Sequence, residues 1–487
     1  MSALAKKQSL ILAGFLSLAS LAVLLSHPLG GAFLAGALAF LLALLVVPVD
    51  YRAGVFCFVG ACFISGLKPV VPNEFLLLAF DLLLYGFVFF VALDRLVRGE
   101  ALFGGPGAGA IRLSAFLALA FFLISLLEIL NPNVPDLEFA LRGFRKTAFT
   151  IVGFFAALWL FRTPSDLRAA WKALGFAGLP VCAYGVKQVF FFSSYDRRML
   201  DIMRADVYTM QFEGFRAFSI LSGPFHLGMF GCVVAVIALY FMREGRKSFW
   251  AVLYALAFAC VVAAKTRTNL LVFFVASLLY VFLTTDSAVR LIRNWTLVAL
   301  FLIPLLLVGY VARIEGFERL IVSIARMHED ERLLRRFETY PAIWQAIVDR
   351  PFLGYGMGSA GDTLETELGL VHFTTHNLLF KVLIETGVLG ALSFFGLLIA
   401  SLCLYSRIRW NRKRSPDTHR LAALHLGVIV VVLMNGLVGS GIEAYPVNLF
   451  FWFAVGGIVS LGRWTPDREE RSAARNRQPR ENGMQPL

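Results

Sequence analysis

The sequence predicts an all-α membrane protein, a polytopic bundle of about 12–14 transmembrane helices with one large outer loop. Three observations carry that expectation. Hydrophobic residues make up 59% of the 487 residues, against roughly 45–50% in an ordinary soluble domain. Charged residues make up only 16%, where about 25% is usual. The apolar residues come in long runs, and Lys and Arg recur in every second gap between them. A soluble globular enzyme and a disordered chain are therefore excluded. The net charge of +13, from 45 Lys+Arg against 32 Asp+Glu, does not point to nucleic acid, because such a partner needs the cations on a water-exposed face. An outer-membrane barrel is excluded too, since its strands alternate apolar and polar residues and these runs do not.

A run of about 20 apolar residues crosses the hydrocarbon core as a helix. Fourteen candidates stand at 9–26, 31–49, 53–67, 75–93, 113–130, 145–161, 173–192, 222–242, 249–264, 270–284, 295–311, 377–402, 421–441 and 445–462. The third and tenth are short for a straight crossing. The first, with Lys6 and Lys7 before it, resembles a secretory signal. Ser26-His27-Pro28-Leu29 after it is not a small-x-small cleavage site, and a second apolar run follows at once, so it reads as a retained helix. The chain thus divides into helices 1–11 over residues 1–311, a large outer loop over 312–375, helices 12–14 over 376–462, and a basic disordered tail over 463–487. Five of the six cysteines fall inside expected spans and Cys403 stands one residue past the run 377–402, so none sits in an outer loop and no disulfide framework is implied.

Orientation follows from the loops, because short cytoplasmic loops collect Lys and Arg. With the N-terminus inside, the inner loops hold Lys6 and Lys7, Arg52, Arg95, Arg98 and Arg112, Arg162, Arg168 and Lys172, Arg243, Arg246 and Lys247, Arg290 and Arg293, and the cluster Arg407–Arg420. Both termini are then cytoplasmic. The inner side carries +15 and the rest of the chain −2.

The informative cations are those left on the outer side. Arg197, Arg198, Arg204 and Arg216 stand in 193–221, Lys265 and Arg267 in the tight hairpin 265–269, and seven arginines in 312–375. Long loops cross whatever their charge, so the short hairpin is the stronger signal. Arg267 is suited to a phosphate because its guanidinium binds such groups bidentately. Lys265 equally suits a headgroup contact by snorkelling. Within the long loop, Phe337, Tyr340, Trp344 and Ile347/Val348 mark one face of an amphipathic helix, with Pro341 as its kink or start and Arg335 and Arg336 near its beginning. The stretch Asp349-Arg350-Pro351-Phe352-Leu353-Gly354-Tyr355-Gly356-Met357-Gly358 reads as a sharp turn, and the loop as a lid over the outer mouth.

Chain re-entry comes at His376-Asn377. Lys381 and Glu385 follow four residues apart, on one helix face. Glu385 stands about 13 Å past His376 at 1.5 Å per residue, near the bilayer midplane, and reads as half of a structural Lys–Glu pair. His372 and His376 have chelating spacing, but Phe373 stands where a His-Glu-x-x-His site needs Glu, so no metal is expected. His376, at the outer mouth, is instead the candidate general base.

His376-Asn377 with Glu385, Gly387 and Gly390 resembles the His-Asn…Glu-x-Gly-x-x-Gly signature of the O-antigen ligase/polymerase family. Asp349-x-Pro351-x-x-Gly354-x-Gly356 resembles its Pro-x-x-Gly-x-Gly segment, and Thr266-Arg267-Thr268 its Ser-Arg-Ser-Arg/Gly span start. Arg216-Ala217-Phe218-Ser219 leading to Gly223-Pro224 is similar to its Arg-x-x-Gly-x-x-x-x-Pro element, with Ser219 in place of Gly. The ordered matches cover about 205–400. The resemblance implies a membrane type C glycosyltransferase-like bundle in the bacterial inner membrane with a periplasmic active site. It implies an undecaprenyl-diphosphate-linked saccharide donor and a lipid A–core or growing glycan acceptor, with inversion and no cofactor or metal. His376 is then the catalytic residue, and Arg216, Arg267, Arg336 and Asn377 bind substrate. Without a metal, arginines must stabilise the charge that develops on the departing diphosphate. The competing expectation is an ion-coupled solute transporter, which midplane Lys381 and Glu385 would suit. No inverted repeat supports it, and one very long loop breaks any symmetry.

Overall fold

The structure is a computed structural model, and it describes residues 51–67, 75–100, 102–103, 108–134, 136–203, 215–243, 247–285, 331–360, 375–439 and 441–464. The spans expected at 9–26, 31–49 and 295–311, the loop residues 312–330 and 361–374, His372 and the tail from 465 lie outside the described residues.

Within them the chain is all-α, with no strand. The helices are α1 Tyr51–Ile64, α2 Phe75–Val97, α3 Ala108–Leu127, α4 Leu137–Thr147, α5 Val152–Trp159, α6 Pro164–Phe190, α7 Ser194–Met203, α8 Pro224–Phe241, α9 Lys247–Ala263, α10 Arg267–Thr284, α11 Glu331–Asp349, α12 Leu378–Trp410, α13 Pro416–Gly436 and α14 Val447–Gly462. Six described helices are long and apolar enough to cross a membrane: Gly109–Leu130, Pro164–Phe190, Pro224–Phe241, Arg267–Thr284, Leu378–Trp410 and Pro416–Gly436. Three shorter apolar ones, Tyr51–Leu67, Lys247–Ala263 and Val447–Gly462, stand between them. The protein is a multi-pass membrane protein, as the apolar runs require.

Helices apolar on every side belong inside a bundle. Accordingly α8 and α14 are buried along nearly their whole length. Helix α8 packs against α6, α9, α10 and α13, while α14 packs against α5, α12 and α13. On the outside, α3 leaves Leu113, Phe116 and Leu127 exposed, the face expected of a helix against lipid.

One expected span is broken. The run 145–161 reads as one helix in sequence, but α4 ends at Thr147, a 3₁₀ turn covers Phe149–Ile151, and α5 is only Val152–Trp159. Freed backbone carbonyls in a membrane must find donors. Here Asn448 Nδ2 donates to Lys146 O at 3.1 Å, and the Tyr85 hydroxyl donates to Phe149 O.

The two ends of the bundle differ chemically. At one end, cations expected in the inner loops reach the last carbonyls of neighbouring helices: Arg95 to Trp159 O at 3.3 Å, Arg243 to Thr284 O at 2.8 Å, Arg414 to Leu461 O at 2.8 Å and Arg463 to Leu158 O at 2.8 Å. Cations are favoured there because helix C-termini expose unpaired carbonyls at the negative end of the macrodipole. The opposite end gathers the starts of α8, α10 and α12 and the chain segments 128–134, 136–147, 350–360, 437–439 and 441–446.

Candidate functional site

The glycine-rich segment is a docking device, and the helix it docks on is broken to receive it. Helix α12 loses its helical path at Gly387, with φ 60° and ψ −166°. Val388 N–H, which would have bonded one turn back, donates to Pro351 O at 2.7 Å, and the freed Ile384 O accepts Tyr355 N–H at 2.7 Å. The loop thus repairs the ladder it interrupts. Gly387 and Gly354 both take left-handed backbone, with φ 60° and 72°. A Cβ on Gly387 would meet Phe352 O at 2.2 Å, and one on Gly354 would meet Ile384 O at 2.3 Å. Both motif glycines are therefore required by close backbone contact and sign of φ.

Beneath this junction lies a buried ion triad. Lys381 Nζ is 2.6 Å from Glu385 Oε1 and 2.6 Å from Glu443 Oε1, with its side chain at 0% exposure. It also donates to Ala360 O at 2.5 Å. Glu385 further accepts from Gly358 N at 3.1 Å and from the Thr147 hydroxyl at 3.1 Å. The pair expected from the sequence is structural, and Glu443 is its third member. The triad ties the loop, α12, the end of α4 and the turn before α14 together.

The amphipathic helix of the loop is α11, and it runs through Pro341. It lies on the first turns of α12, where Tyr340 meets Phe380 with centroids 4.9 Å apart. Its buried face is Tyr340, Ile343, Ala346 and Ile347 against Ile384 and Ala360. Trp344 and Val348, expected on that face, are exposed, because the contact follows the 340–343–347 ridge. Arg336 lies on this helix, and its side chain is outside the described residues.

Arg216 and Arg267 come from adjoining strips of chain. Arg216 Nε donates to Ala264 O at 3.2 Å, and Ala217 N to Ala263 O at 3.0 Å. Asn269 Nδ2 reaches back to Phe225 O at 3.0 Å, closing the hairpin onto the start of α8. Arg267 is the first residue of α10 and is exposed. Thr266 at its N-cap makes no side-chain capping bond, and Arg267 stands in the first turn, at the positive end of the α10 dipole.

His376 directly precedes the N-cap of α12 and is half-buried. Asn377 is the N-cap: its Oδ1 accepts from Leu379 N at 2.8 Å and Phe380 N at 3.4 Å, and its Nδ2 donates to Leu437 O at 3.4 Å. This anchors His376 at the junction of α12 and α13. His425, midway along α13, is a packing residue: its Nε2 accepts the Trp171 indole N–H at 3.1 Å. Among the described residues, no group of three or more His, Cys, Asp or Glu is arranged for a metal ion.

Three non-glycine residues among those described have left-handed backbone: Ser219 at φ 56°, Lys265 at 46° and His376 at 43°. Each such residue costs about 1–3 kcal/mol and persists where the surroundings enforce it, most often at functional sites. They fall in the three segments that carry Arg216, Arg267 and His376, all at the same end of the bundle. Nothing in the sequence announces φ, so this coincidence is visible only in the fold. Glu443, Gln188 and Asp196 were not found from the sequence either.

Residues 252–395 match the family described as O-antigen ligase. The resemblance read from the motifs holds over that segment, which contains Thr266-Arg267-Thr268, the glycine-rich loop, His376-Asn377 and the Glu385-x-Gly387-x-x-Gly390 kink. Arg216 lies before it. No curated protein matches the chain.

Proposed function

With residues 252–395 forming an O-antigen ligase family domain, we propose that the chain is a glycosyltransferase of the ligase/polymerase type. It transfers saccharide from an undecaprenyl-diphosphate-linked donor to a glycan or glycolipid acceptor at the periplasmic face of the bacterial inner membrane. The observation that supports this reading is that Arg216, Arg267 and His376 stand in three segments at the end of the bundle away from the basic loops, and each segment holds a left-handed non-glycine residue, Ser219, Lys265 and His376 in turn.

In this mechanism the acceptor hydroxyl attacks the anomeric carbon from the face opposite the diphosphate. The new C–O bond forms as the sugar–phosphate bond breaks, so the configuration inverts. The hydroxyl proton passes to the His376 imidazole, a contribution of about 10²–10⁴-fold. The electron pair leaves with undecaprenyl diphosphate, whose charge Arg216, Arg267 and Arg336 stabilise without a metal or cofactor. Asn377 acts on the substrate by fixing the mouth of α12 where His376 stands. The buried Lys381–Glu385–Glu443 triad is satisfied by the loop and the helices around it. That favours a latch over the ion path a transporter would need.

Purified protein given lipid-linked repeat units tests the reading. Longer lipid-linked chains identify a polymerase, and transfer only after lipid A–core is added identifies a ligase. Counterflow of a solute in proteoliposomes without saccharide turnover would overturn both. Arg267→Lys keeps the charge but loses the bidentate fork. Its donor KM should rise about 10-fold or more, the scale of one charge-assisted hydrogen bond. An unchanged KM would remove Arg267 from the diphosphate site.

A further inference from the structure

Arg216 stands two residues before Phe218-Ser219, and that dipeptide is held in an unusual way. Gln188, near the end of α6 and 1% exposed, clasps its backbone. Its Oε1 accepts Phe218 N–H at 3.1 Å and Ser219 N–H at 2.7 Å, and its Nε2 donates to Ser219 O at 3.0 Å. The same Nε2 donates to Asp196 Oδ1 at 2.7 Å. Asp196, 0% exposed, is the hub behind it. Its Oδ1 also accepts the Tyr184 hydroxyl at 2.8 Å. Its Oδ2 accepts Ser193 N at 2.7 Å, Ser193 Oγ at 2.7 Å and Lys187 Nζ at 3.2 Å.

The chemistry fixes which way the Gln188 amide faces. A carboxylate only accepts, so the NH₂ must turn towards Asp196. The carbonyl oxygen then faces the two backbone N–H groups of the Arg216 segment. Burial alone would raise the Asp196 carboxyl, but hydrogen bonds from Ser193, Gln188 and Tyr184 outweigh it and hold the group below the usual carboxylate range. Asp196 therefore stays an acceptor.

The clamp also answers a departure from the family pattern. Ser219 stands where the related element has Gly, yet its φ is 56°. Glycine adopts that backbone freely and serine does not. Three hydrogen bonds from Gln188 and one from Ser219 Oγ to Val181 O at 2.7 Å enforce it instead. On the other flank, Arg216 Nε and Ala217 N are fixed to the hairpin at Ala264 and Ala263. The segment is thus pinned on both sides, and the guanidinium has a defined place beside the start of α10.

We propose that Gln188, oriented by Asp196, is a positioning residue: it locks the Phe218–Ser219 turn so that Arg216 is presented to the diphosphate of the lipid-linked donor. This inference rests on the functional reading above.

Gln188→Met tests it, since methionine keeps the volume and removes all four hydrogen bonds. The probe is undecaprenyl diphosphate, with binding measured in detergent for wild type, Gln188→Met, Arg216→Ala and the double variant. Backbone hydrogen exchange over 216–220 is followed alongside. The expected result is faster exchange there and affinity weakened about tenfold, the scale of one lost charge-assisted hydrogen bond. It further requires no additional loss from Gln188→Met in the Arg216→Ala background, because residues acting through one another are non-additive. A merely structural role would weaken binding in both backgrounds. Should Gln188→Met fail to fold, Asp196→Asn, which lets the amide turn, must show the same pattern. Unchanged exchange, unchanged affinity or additive losses each overturn the clamp alone. Wild-type protein that binds undecaprenyl diphosphate no better than uncharged undecaprenol overturns the functional reading, and donor positioning with it.

Discussion

Replacing His376 removes saccharide transfer, by about 10²–10⁴-fold for loss of the base, while the protein still folds. The reason is local. His376 is a half-buried residue with left-handed backbone between buried Thr375 and the N-cap Asn377. The first turn of α12 is capped by Asn377 and not by His376. Alanine at φ 43° is strained, so His376→Ala alone mixes two effects. Asparagine tolerates that backbone best among non-glycine residues and carries no base. His376→Asn should therefore match wild type in detergent melting temperature and lose transfer as fully as His376→Ala. Initial rates with lipid-linked donor decide it. Activity within threefold of wild type in His376→Asn would remove His376 from proton transfer.

How much of this was legible in the sequence depends on the range of the interaction. Spans are set by composition over about 20 residues, so the runs at 173–192, 222–242 and 249–264 reappear as α6, α8 and α9 with shifted ends. The run 145–161 misled because hydropathy does not sense a break whose carbonyls are satisfied by Tyr85 and Asn448 from other helices. Gly354 signalled a turn and Gly387 entered only as part of the family signature, and neither showed that each fills the other's gap. The Lys381–Glu385 pair was readable because it lies within one helix turn. Glu443 was not, since only packing brings it to Lys381; its one trace is an acid at the outer edge of two spans. Gln188 had no pattern to show, as its partners Phe218 and Ser219 lie 30 and 31 residues further on, and Asp196 was not readable because its bonds to Tyr184 and Gln188 form only where the chain turns back after α6. The arginine segments were found from charge, yet the left-handed backbone that marks them belongs to the fold.

Lys381→Met should cost about 3–5 kcal/mol of stability, the usual consequence of leaving buried charge uncompensated, read as a large fall in detergent melting temperature. With the ammonium gone, Glu385 and Glu443 face each other at almost no exposure, and Ala360 O loses its donor. The carboxylates cannot simply hydrate, since Gly358 N and Thr147 already occupy Glu385 from the other sides. Removing the charges together is different: a buried ion cluster is often replaceable by neutral groups of similar volume. Lys381→Met combined with Glu385→Gln and Glu443→Gln should thus recover much of the lost melting temperature. A single variant as stable as wild type, or a triple variant no better than the single, would show that the triad is not the latch. The latch also joins stability to function. Helix α12 begins two residues after His376, past its N-cap Asn377, and its break at Gly387 is completed by the loop that Lys381 and Glu385 hold. Lys381→Met should therefore lose stability and transfer together, whereas His376→Asn loses transfer alone.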